Sequence, residues 1–288
     1  MDTEQKMAAA PGGGKLLGSL LVEQGKLSEN SIEKIVKFAR KKRLRFGEAA
    51  VRLRLISAKD LEHAMASQFD YPFLEKGEGS LSKELNAAYQ PFSKKGQALR
   101  NLCSQLMLRW YSHDQKTLAV AAADERQGCT YVAANIAVIF SQLGYRTLLI
   151  DADLQHGRQH KIFRIENKLG LSGVLIGRAR ADQAVRVLPM FRALAVMPAG
   201  ANPPNPVEIV GRSELRATMS NLREKYDVVI VDTPPMSLHT GTEIIAKSCD
   251  STLLVARQNH TLISDAKSLD IALHAAGARI VGMAMSRF

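Results

Sequence analysis

Residues 117–137 of the chain have the sequence TLAVAAADERQGCTYVAANIA. The first six are apolar without polar alternation, which is typical of a strand buried on both faces of a parallel sheet. Residues 123–128 are mostly polar and end in a glycine, and an apolar helical stretch begins at Tyr131. The segment therefore predicts a strand, a loop and a helix whose N-terminus lies at the carboxyl end of the sheet.

The alternation of apolar strands with helices continues to the end of the chain. Further buried strands are predicted at Arg146–Ile150, Leu194–Met197, Asp227–Val231, Thr252–Val255 and Ile280–Met285, and helices at Tyr131–Gln142, Glu214–Tyr226 and Ile263–His274. Connections between parallel strands are right-handed crossovers that place helices on both faces of a sheet. We therefore expect an α/β fold with a doubly wound, mostly parallel sheet.

The loop after the first strand is a candidate phosphate-binding loop. Gly128, Cys129 and Thr130 stand where a P-loop has Gly-Lys-Ser/Thr. Backbone N–H groups at the start of the helix would face phosphate, and the Thr130 hydroxyl could bind Mg²⁺. In sheets of this class ligands bind beyond the carboxyl ends of the strands, which is where the loop is expected.

Two acidic segments also follow predicted strands. Asp151 and Asp153 belong to the segment DADLQ, and Asp232 opens the segment DTPP. Asp232 closes an apolar strand as a Walker B carboxylate does. We expect Asp151 and Asp153 both to reach the cleft and Asp232 to hold the metal directly or through water, since hard oxygen ligands of this kind suit Mg²⁺.

The segments LLIDADLQ (148–155) and VVIVDTPP (228–235) resemble the bacterial tyrosine kinases, in the exopolysaccharide tyrosine-autokinase branch. The resemblance implies a P-loop NTPase-type fold that binds ATP and Mg²⁺. It implies that Gly128, Cys129, Thr130 and Arg257 contact the nucleotide, that Asp151, Asp153 and Asp232 are catalytic, and that these carboxylates and Thr130 bind the metal. It also implies a cytoplasmic protein, held at the inner membrane by a chain-length determinant protein of a polysaccharide export system.

The chain departs from that family pattern at the phosphate-binding loop. Cys129 replaces the basic residue, and Asp124, Glu125 and Arg126 replace loop residues that include glycines. A thiol at a helix N-terminus can have a lowered pKa, and a thiolate would repel ATP. Two hypotheses about the function are compatible with these departures: a regulatory scaffold with weak or absent catalysis, and an active ATP-dependent protein-tyrosine kinase. A partitioning-type ATPase is a further alternative, which would need a second lysine early in the loop.

The N-terminal region contains an internal repeat within a predicted helical module, residues 15–75. LLGSLLVEQGKLS (16–28) recurs as RFGEAAVRLRLIS (45–57), and Ser28 and Ser57 can each cap a following helix. The doubled pattern resembles the N-terminal domain of type II secretion ATPases, some of which bind cyclic di-GMP. An arginine that the resemblance places in both copies occurs only as Arg45. We expect a module that docks a partner protein, with cyclic di-GMP as the alternative ligand.

The composition of the chain indicates its domain boundaries and its cellular compartment. Residues 1–14 are a polar and Gly-rich leader that we expect to be disordered, and residues 76–96 a linker to the kinase-like domain, 97–288. The three cysteines are far apart, which fits a reducing cytosol. No apolar run is long enough to span a membrane.

The net charge of +11 indicates an anionic partner. Six of the cations fall within the basic segment Lys37–Arg45. A solvated helix end and a phosphate-binding patch are both compatible with it. Nucleic acid is not expected as a partner.

Overall fold

The computed structural model describes residues 16–68, 74, 81–112, 114–191, 193–238 and 241–287. The predicted leader, residues 1–14, lies outside this part of the chain. The chain divides into two compact units, residues 1–73 and 74–288. Among the described helices none is long and apolar enough to cross a membrane.

The described part of the N-terminal unit, residues 16–68, has four helices around a small apolar core. The helices are α1 (Leu17–Glu23), α2 (Glu29–Lys42), α3 (Phe46–Arg52) and α4 (Ala58–Gln68). Their core includes the buried residues Leu21, Leu27, Ile35, Ala49, Ala50, Ile56 and Ala64. The Ser57 hydroxyl accepts from the Asp60 N–H at 3.1 Å, so this predicted cap forms. Ser28 occupies the cap position of α2, but its side chain makes no capping hydrogen bond.

The sequence repeat is also a structural repeat. Helices α1 and α3 have seven residues each, and each ends in a turn closed by a 2.9 Å backbone hydrogen bond, from Gly25 N to Val22 O and from Arg54 N to Val51 O. Gly25 has φ +66° and Arg54 has φ +57°. The same left-handed turn is therefore made once with glycine and once with arginine.

The predicted linker over residues 76–96 differs from the structure. Residues 81–96 belong to the second unit, where α5 (Asn86–Tyr89) and α6 (Lys94–Arg109) precede the sheet. The side chain of buried Asn135 accepts from Ala87 N at 2.8 Å and donates to Glu84 O at 3.0 Å. Leu81 and Leu85 are buried in the main core. Residues 81–96 are thus part of the α/β unit, although their composition is typical of a connector.

The second unit is built on the predicted sheet. Its strands are β1 (Thr117–Ala122), β2 (Thr147–Asp151), β3 (Arg186–Val187), β4 (Leu194–Met197), β5 (Val228–Asp232), β6 (Ser251–Arg257) and β7 (Ile280–Ser286). Their order is β3-β4-β2-β5-β1-β6-β7, and every pairing is parallel except that of β3 with β4. The doubly wound, mostly parallel α/β fold is confirmed. The short antiparallel strand β3 was not predicted, because two residues carry no periodicity.

Helices cover both faces of this sheet. They are α7 (Cys129–Gln142), α8 (Gln159–Ile162), α9 (Leu171–Leu175), α10 (Ala181–Ala184), α11 (Pro206–Val210), α12 (Ser213–Lys225), α13 (Gly241–Lys247) and α14 (Ile263–Ala275). Helix α7 is almost entirely buried from Val132 to Ser141. A buried helix with a fixed position holds the loop before it against the ends of the strands.

The strand register brings the two predicted acidic motifs together. Asp151 at the end of β2 is the direct partner of Asp232 at the end of β5, and Asp232 also pairs with Val120 of β1. Parallel strands present their carboxyl ends at one edge of a sheet. The two motifs, which are far apart in the sequence, therefore form one cluster at that edge.

Candidate functional site

A cavity of about 820 Å³ opens at the carboxyl edge of the sheet. Residues at the ends of four neighbouring strands line it, among them Ala122 of β1, Asp153 after β2, Thr233 after β5 and Arg257 of β6. The loop before α7 lines it from Asp124 to Thr130. This is the position at which parallel α/β sheets bind ligands.

The loop between β1 and α7 turns tightly and has two residues in a left-handed conformation. Gly128 has φ +98°, which glycine adopts without strain, and it caps α7. Arg126 has φ +58°. Side chains from β6 and β7 bind two carbonyl groups of this loop. Arg257 donates to Arg126 O at 3.2 Å, and the Ser286 hydroxyl donates to Gln127 O at 2.9 Å.

One loop amide is already occupied by a carboxylate of the loop itself. Asp124 Oδ1 accepts from Glu125 N at 2.8 Å and from the Ser237 hydroxyl at 2.6 Å. These hydrogen bonds lower the pKa of Asp124, with the bond from Ser237 as the larger cause. A bound phosphate would compete with this carboxylate for the Glu125 N–H.

Cys129 turns its side chain into the protein and not toward the helix N-terminus. Its Sγ lies 2.9 Å from Val120 O and 3.3 Å from Asp232 Oδ1. Burial and the Asp232 carboxylate raise the pKa of this thiol well above its usual value. The lowered thiol pKa expected from a helix N-terminus is therefore wrong, because desolvation and a nearby negative charge both favour the neutral thiol.

Asp232 accepts hydrogen bonds on both carboxylate oxygens. Besides Cys129 at Oδ1, the Gln159 amide donates to Oδ2 at 2.9 Å, and the Thr130 hydroxyl also bonds to this carboxylate. Burial raises the pKa of Asp232 to about 6, and these hydrogen bonds offset part of that rise. Burial and the Asp232 charge likewise raise the pKa of Asp151.

Gln159 joins the three motifs, and the sequence analysis did not identify it. Its backbone N–H donates to Asp151 Oδ2 at 2.9 Å, and its side-chain amide donates to Asp232 and, at 3.1 Å, to Thr130 O. Its own Oε1 is buried without a hydrogen-bond partner among the described residues. The only sequence signal is a polar residue at the start of α8, which also fits an exposed helix end.

The three predicted carboxylates differ in their access to the cavity. Asp153 lines it, whereas Asp151 and Asp232 are 0% and 1% exposed and lie beneath its floor. Asp153 Oδ1 accepts from the backbone N–H groups of Gln155 and His156 at 3.1 and 2.8 Å. The expectation that Asp151 and Asp153 both reach the cleft is thus met by Asp153 alone.

The donor set is chemically suited to Mg²⁺, but its arrangement is not that of a formed metal site. Three carboxylates and the Thr130 hydroxyl supply hard oxygen atoms. Most of these atoms are engaged by protein donors, and within the described ranges no group of three or more His, Cys, Asp or Glu side chains could hold a metal ion. Cys129 and Gln159 each donate to one oxygen of Asp232, so a metal ion would share this carboxylate with both donors.

Cationic side chains remain around the mouth of the cavity. Lys83, Lys95, Arg126, Arg158 and Arg257 all line it. Arg158 is paired with Glu84 at 3.0 Å. These side chains reach the cavity from its walls, whereas the residue at position 129 adds no charge at the start of α7.

Sheet order, buried helix and loop together define a P-loop NTPase-like fold with an acidic edge. Residues 115–268 match the model of the AAA domain family. The match covers more than half of the chain, which therefore belongs to this family.

The chain is similar to tyrosine-protein kinases of bacteria. It is 29% identical to tyrosine-protein kinase YwqD of Bacillus subtilis over 214 residues, 74% of this chain and 90% of that protein. It is 31% identical to tyrosine-protein kinase Etk of Escherichia coli K12 over 201 residues, 68% of this chain and 27% of that protein. The kinase domain of Escherichia coli ETK superposes with a TM-score of 0.68 at 28% identity, covering 70% of this chain and 79% of that structure. The expected resemblance to bacterial tyrosine kinases is confirmed.

Proposed function

We propose that the chain is a tyrosine-kinase-like P-loop protein of exopolysaccharide assembly and chain-length control. In this proposal it binds ATP and Mg²⁺ weakly or not at all and acts as a regulatory scaffold. It works in the cytoplasm, held at the inner membrane by a chain-length determinant protein of a polysaccharide export system. The kinases that the chain resembles support the pathway, and three free cysteines fit a reducing compartment.

The observation that carries the proposal is the orientation of Cys129. A neutral thiol directed to Asp232 replaces the cation that a P-loop aims at the β- and γ-phosphates. Losing one charged hydrogen bond to phosphate costs about 1.5–3 kcal/mol of binding. The loss is larger in a phosphoryl-transfer transition state, where charge is redistributed.

In this proposal the remaining site residues keep the roles that the resemblance implies, but their contacts bind nucleotide weakly. Gly128 and Thr130 would contact phosphate at the start of α7, and Arg257 would act through the carbonyl of Arg126, to which it donates. Asp151, Asp153 and Asp232 would be the catalytic and metal carboxylates. Cys129 and Gln159 would each keep one oxygen of Asp232 in a hydrogen bond.

A calorimetric titration with ATP, with and without Mg²⁺, tests this proposal. We expect no saturation at micromolar ATP and no gain on adding Mg²⁺. Saturable micromolar binding that depends on Mg²⁺ would overturn it. ADP in place of ATP is the control for binding that does not involve the γ-phosphate.

An active protein-tyrosine kinase is the second candidate, and the cations at the mouth of the cavity favour it. Arg126 and Lys95 line the cavity and could supply charge from its walls. Incubation of the full chain with Mg²⁺ and ATP, followed by detection of phosphotyrosine, separates the two candidates. Phosphotyrosine that the Asp232→Asn variant fails to form would establish the kinase.

A further inference from the structure

The N-terminal unit concentrates positive charge in one stretch of sequence. Residues 37–54 contain eight lysines and arginines and a single acid, Glu48. The eight side chains, here called the cationic surface, are Lys37, Arg40, Lys41, Lys42, Arg43, Arg45, Arg52 and Arg54. All eight are exposed, and across the described residues no ion pair involves them. Glu48 instead accepts from the backbone N–H of Arg45 at 3.2 Å.

The internal repeat shows that the fold does not need three of these arginines. Arg45, Arg52 and Arg54 correspond to Leu16, Glu23 and Gly25 of the first copy, which forms the same helix and turn. Two cations of the surface also have a left-handed backbone, since Arg43 has φ +53° and Arg54 φ +57°. Such conformations cost free energy for residues other than glycine, and the first copy of the repeat has Gly25 at the position of Arg54.

We propose that the cationic surface binds the anionic headgroups of a lipid membrane. Lys37, Arg40 and Lys41 are three and four residues apart on α2, so they share one face of that helix. The other five are exposed at the end of α2, in α3 and in the turns, and a polybasic stretch of this kind is attracted to anionic headgroups. Leu55, next to Arg54, is 36% exposed and adds apolar contact at the headgroup boundary. Phe38 and Phe46 pack on the core of the unit and do not offer rings for stacking bases, which disfavours single-stranded nucleic acid. The proposal is independent of nucleotide binding.

The size of the effect follows from electrostatics near a charged bilayer. Each Lys or Arg close to an anionic surface raises the partition coefficient by roughly fivefold. Neutralising three arginines should therefore weaken membrane binding by about 100-fold. The attraction should also fall steeply as salt screens it.

Sedimentation of the full chain with lipid vesicles tests the proposal. The vesicles contain phosphatidylcholine with or without phosphatidylglycerol, at low and high salt. The first variant is Arg45→Gln, Arg52→Gln, Arg54→Gly, and the second is Lys37→Gln, Lys41→Gln. The matched control is Lys225→Gln, Lys247→Gln, Lys267→Gln, which removes three exposed cations from the α/β unit.

We expect the unmodified chain and the control to bind phosphatidylglycerol vesicles in a salt-sensitive manner and to ignore phosphatidylcholine. The first variant should lose about 100-fold and the second about 25-fold. Circular dichroism melting establishes that each variant is folded, and the second variant leaves the repeat turns unchanged. Failure of the unmodified chain to bind anionic vesicles, or equal loss in the control, would overturn the proposal. So would tight binding of a single-stranded oligonucleotide through the same arginines in a chain that does not bind vesicles.

Discussion

The thiol of Cys129 lies 3.3 Å from Oδ1 of Asp232, so a neutral donor meets the buried carboxylate where β5 ends. Gln159 supplies a second neutral donor at 2.9 Å. Among the described residues no ion pair involves Asp232. The protein thus holds an acidic motif through hydrogen bonds alone, which leaves desolvation as the dominant influence on its protonation.

The first prediction concerns Asp232→Asn and pH. Burial raises the pKa of Asp232 from 3.8 to about 6, so the folded chain holds a proton that the unfolded chain releases in this interval. Stability from this group is therefore present at acidic pH and falls as pH rises to about 6. The rise of this pKa from 3.8 to about 6 corresponds to about 3 kcal/mol at neutral pH. The asparagine amide would be a donor facing the donors of Cys129 and Gln159, which costs about 1 kcal/mol. We therefore expect Asp232→Asn to raise the free energy of unfolding by about 2 kcal/mol at neutral pH, with a smaller gain under acid conditions.

Urea denaturation across pH measures this effect, and Asp227→Asn is the control of opposite sign. A hydrogen bond from Arg146 lowers the pKa of Asp227, so that carboxylate stabilises the fold at neutral pH and loses its effect on acidification. Destabilisation by Asp232→Asn at neutral pH would show that the hydrogen bonds to the carboxylate outweigh its desolvation and would contradict this prediction.

The second prediction concerns Gln159. Replacement by leucine removes the amide donor to Asp232 and leaves that buried carboxylate with fewer partners. We expect a loss of about 2–4 kcal/mol in the free energy of unfolding. Gln155→Leu should change it by less than about 0.5 kcal/mol, since Gln155 bonds through its backbone groups.

A double-mutant cycle locates the cause of that loss. In an Asp232→Asn background the charge is gone, so Gln159→Leu should cost less by about 0.5–3 kcal/mol. Additive losses would mean that Gln159 acts through packing or through its other contact, the carbonyl of Thr130.

The third prediction uses the internal repeat. A Cβ at Gly25 would meet nothing within 4 Å, so Gly25→Ala tests backbone strain alone, and we expect it to destabilise the N-terminal unit by about 1 kcal/mol. Arg54→Gly at the equivalent turn should be neutral or stabilise by up to about 1 kcal/mol. Hydrogen exchange of amides in residues 16–68 reports on this unit separately. Equal destabilisation by both changes would mean that the Arg54 side chain supports the fold.

The fourth prediction concerns the boundary between the units. The chain divides at residues 73 and 74, and residues 76–80 have the composition KGEGS. Limited proteolysis should cut between residues 69 and 80 and leave a core that begins near Leu81, since Leu81 and Leu85 are buried in the α/β unit. Rapid cleavage within residues 81–96 would contradict the packing of that segment.

Strong periodic patterns in the sequence predicted the large elements well. Strands β1 and β4 have the predicted bounds, and the other strands of the parallel sheet differ by at most two residues at either end. The placement of Asp151 and Asp232 at one edge of the sheet also follows from two motifs that each end a parallel strand, whereas the pairing of β2 with β5 was not predicted. These predictions succeed because buried strands are continuously apolar and the polar residues that follow them mark their ends, and both features can be recognised in a short stretch of sequence.

Long-range contacts were not predictable from local composition. Residues 81–96 resemble a linker in composition, but side chains of α7 hold them through hydrogen bonds, namely those of Tyr131, Asn135 and Gln142. The role of Gln159 depends on bringing α8 beside β5, and the direction of the Cys129 side chain depends on the space beneath the loop. A thiol pKa inferred from the helix N-terminus alone misses the desolvation that dominates it.

The central claim is that position 129 lacks the cation needed to bind phosphate, and the Cys129→Lys variant tests it most directly. Lysine would supply a point charge near the start of α7, and Cys129→Met is the matched variant of similar length without charge. In calorimetric titrations with Mg²⁺ and ATP we expect Cys129→Lys to bind at least about tenfold more tightly than the unmodified chain, or about 1.4 kcal/mol, and Cys129→Met to show no gain. Equal affinity of the unmodified chain and Cys129→Lys would contradict the account and favour the active kinase.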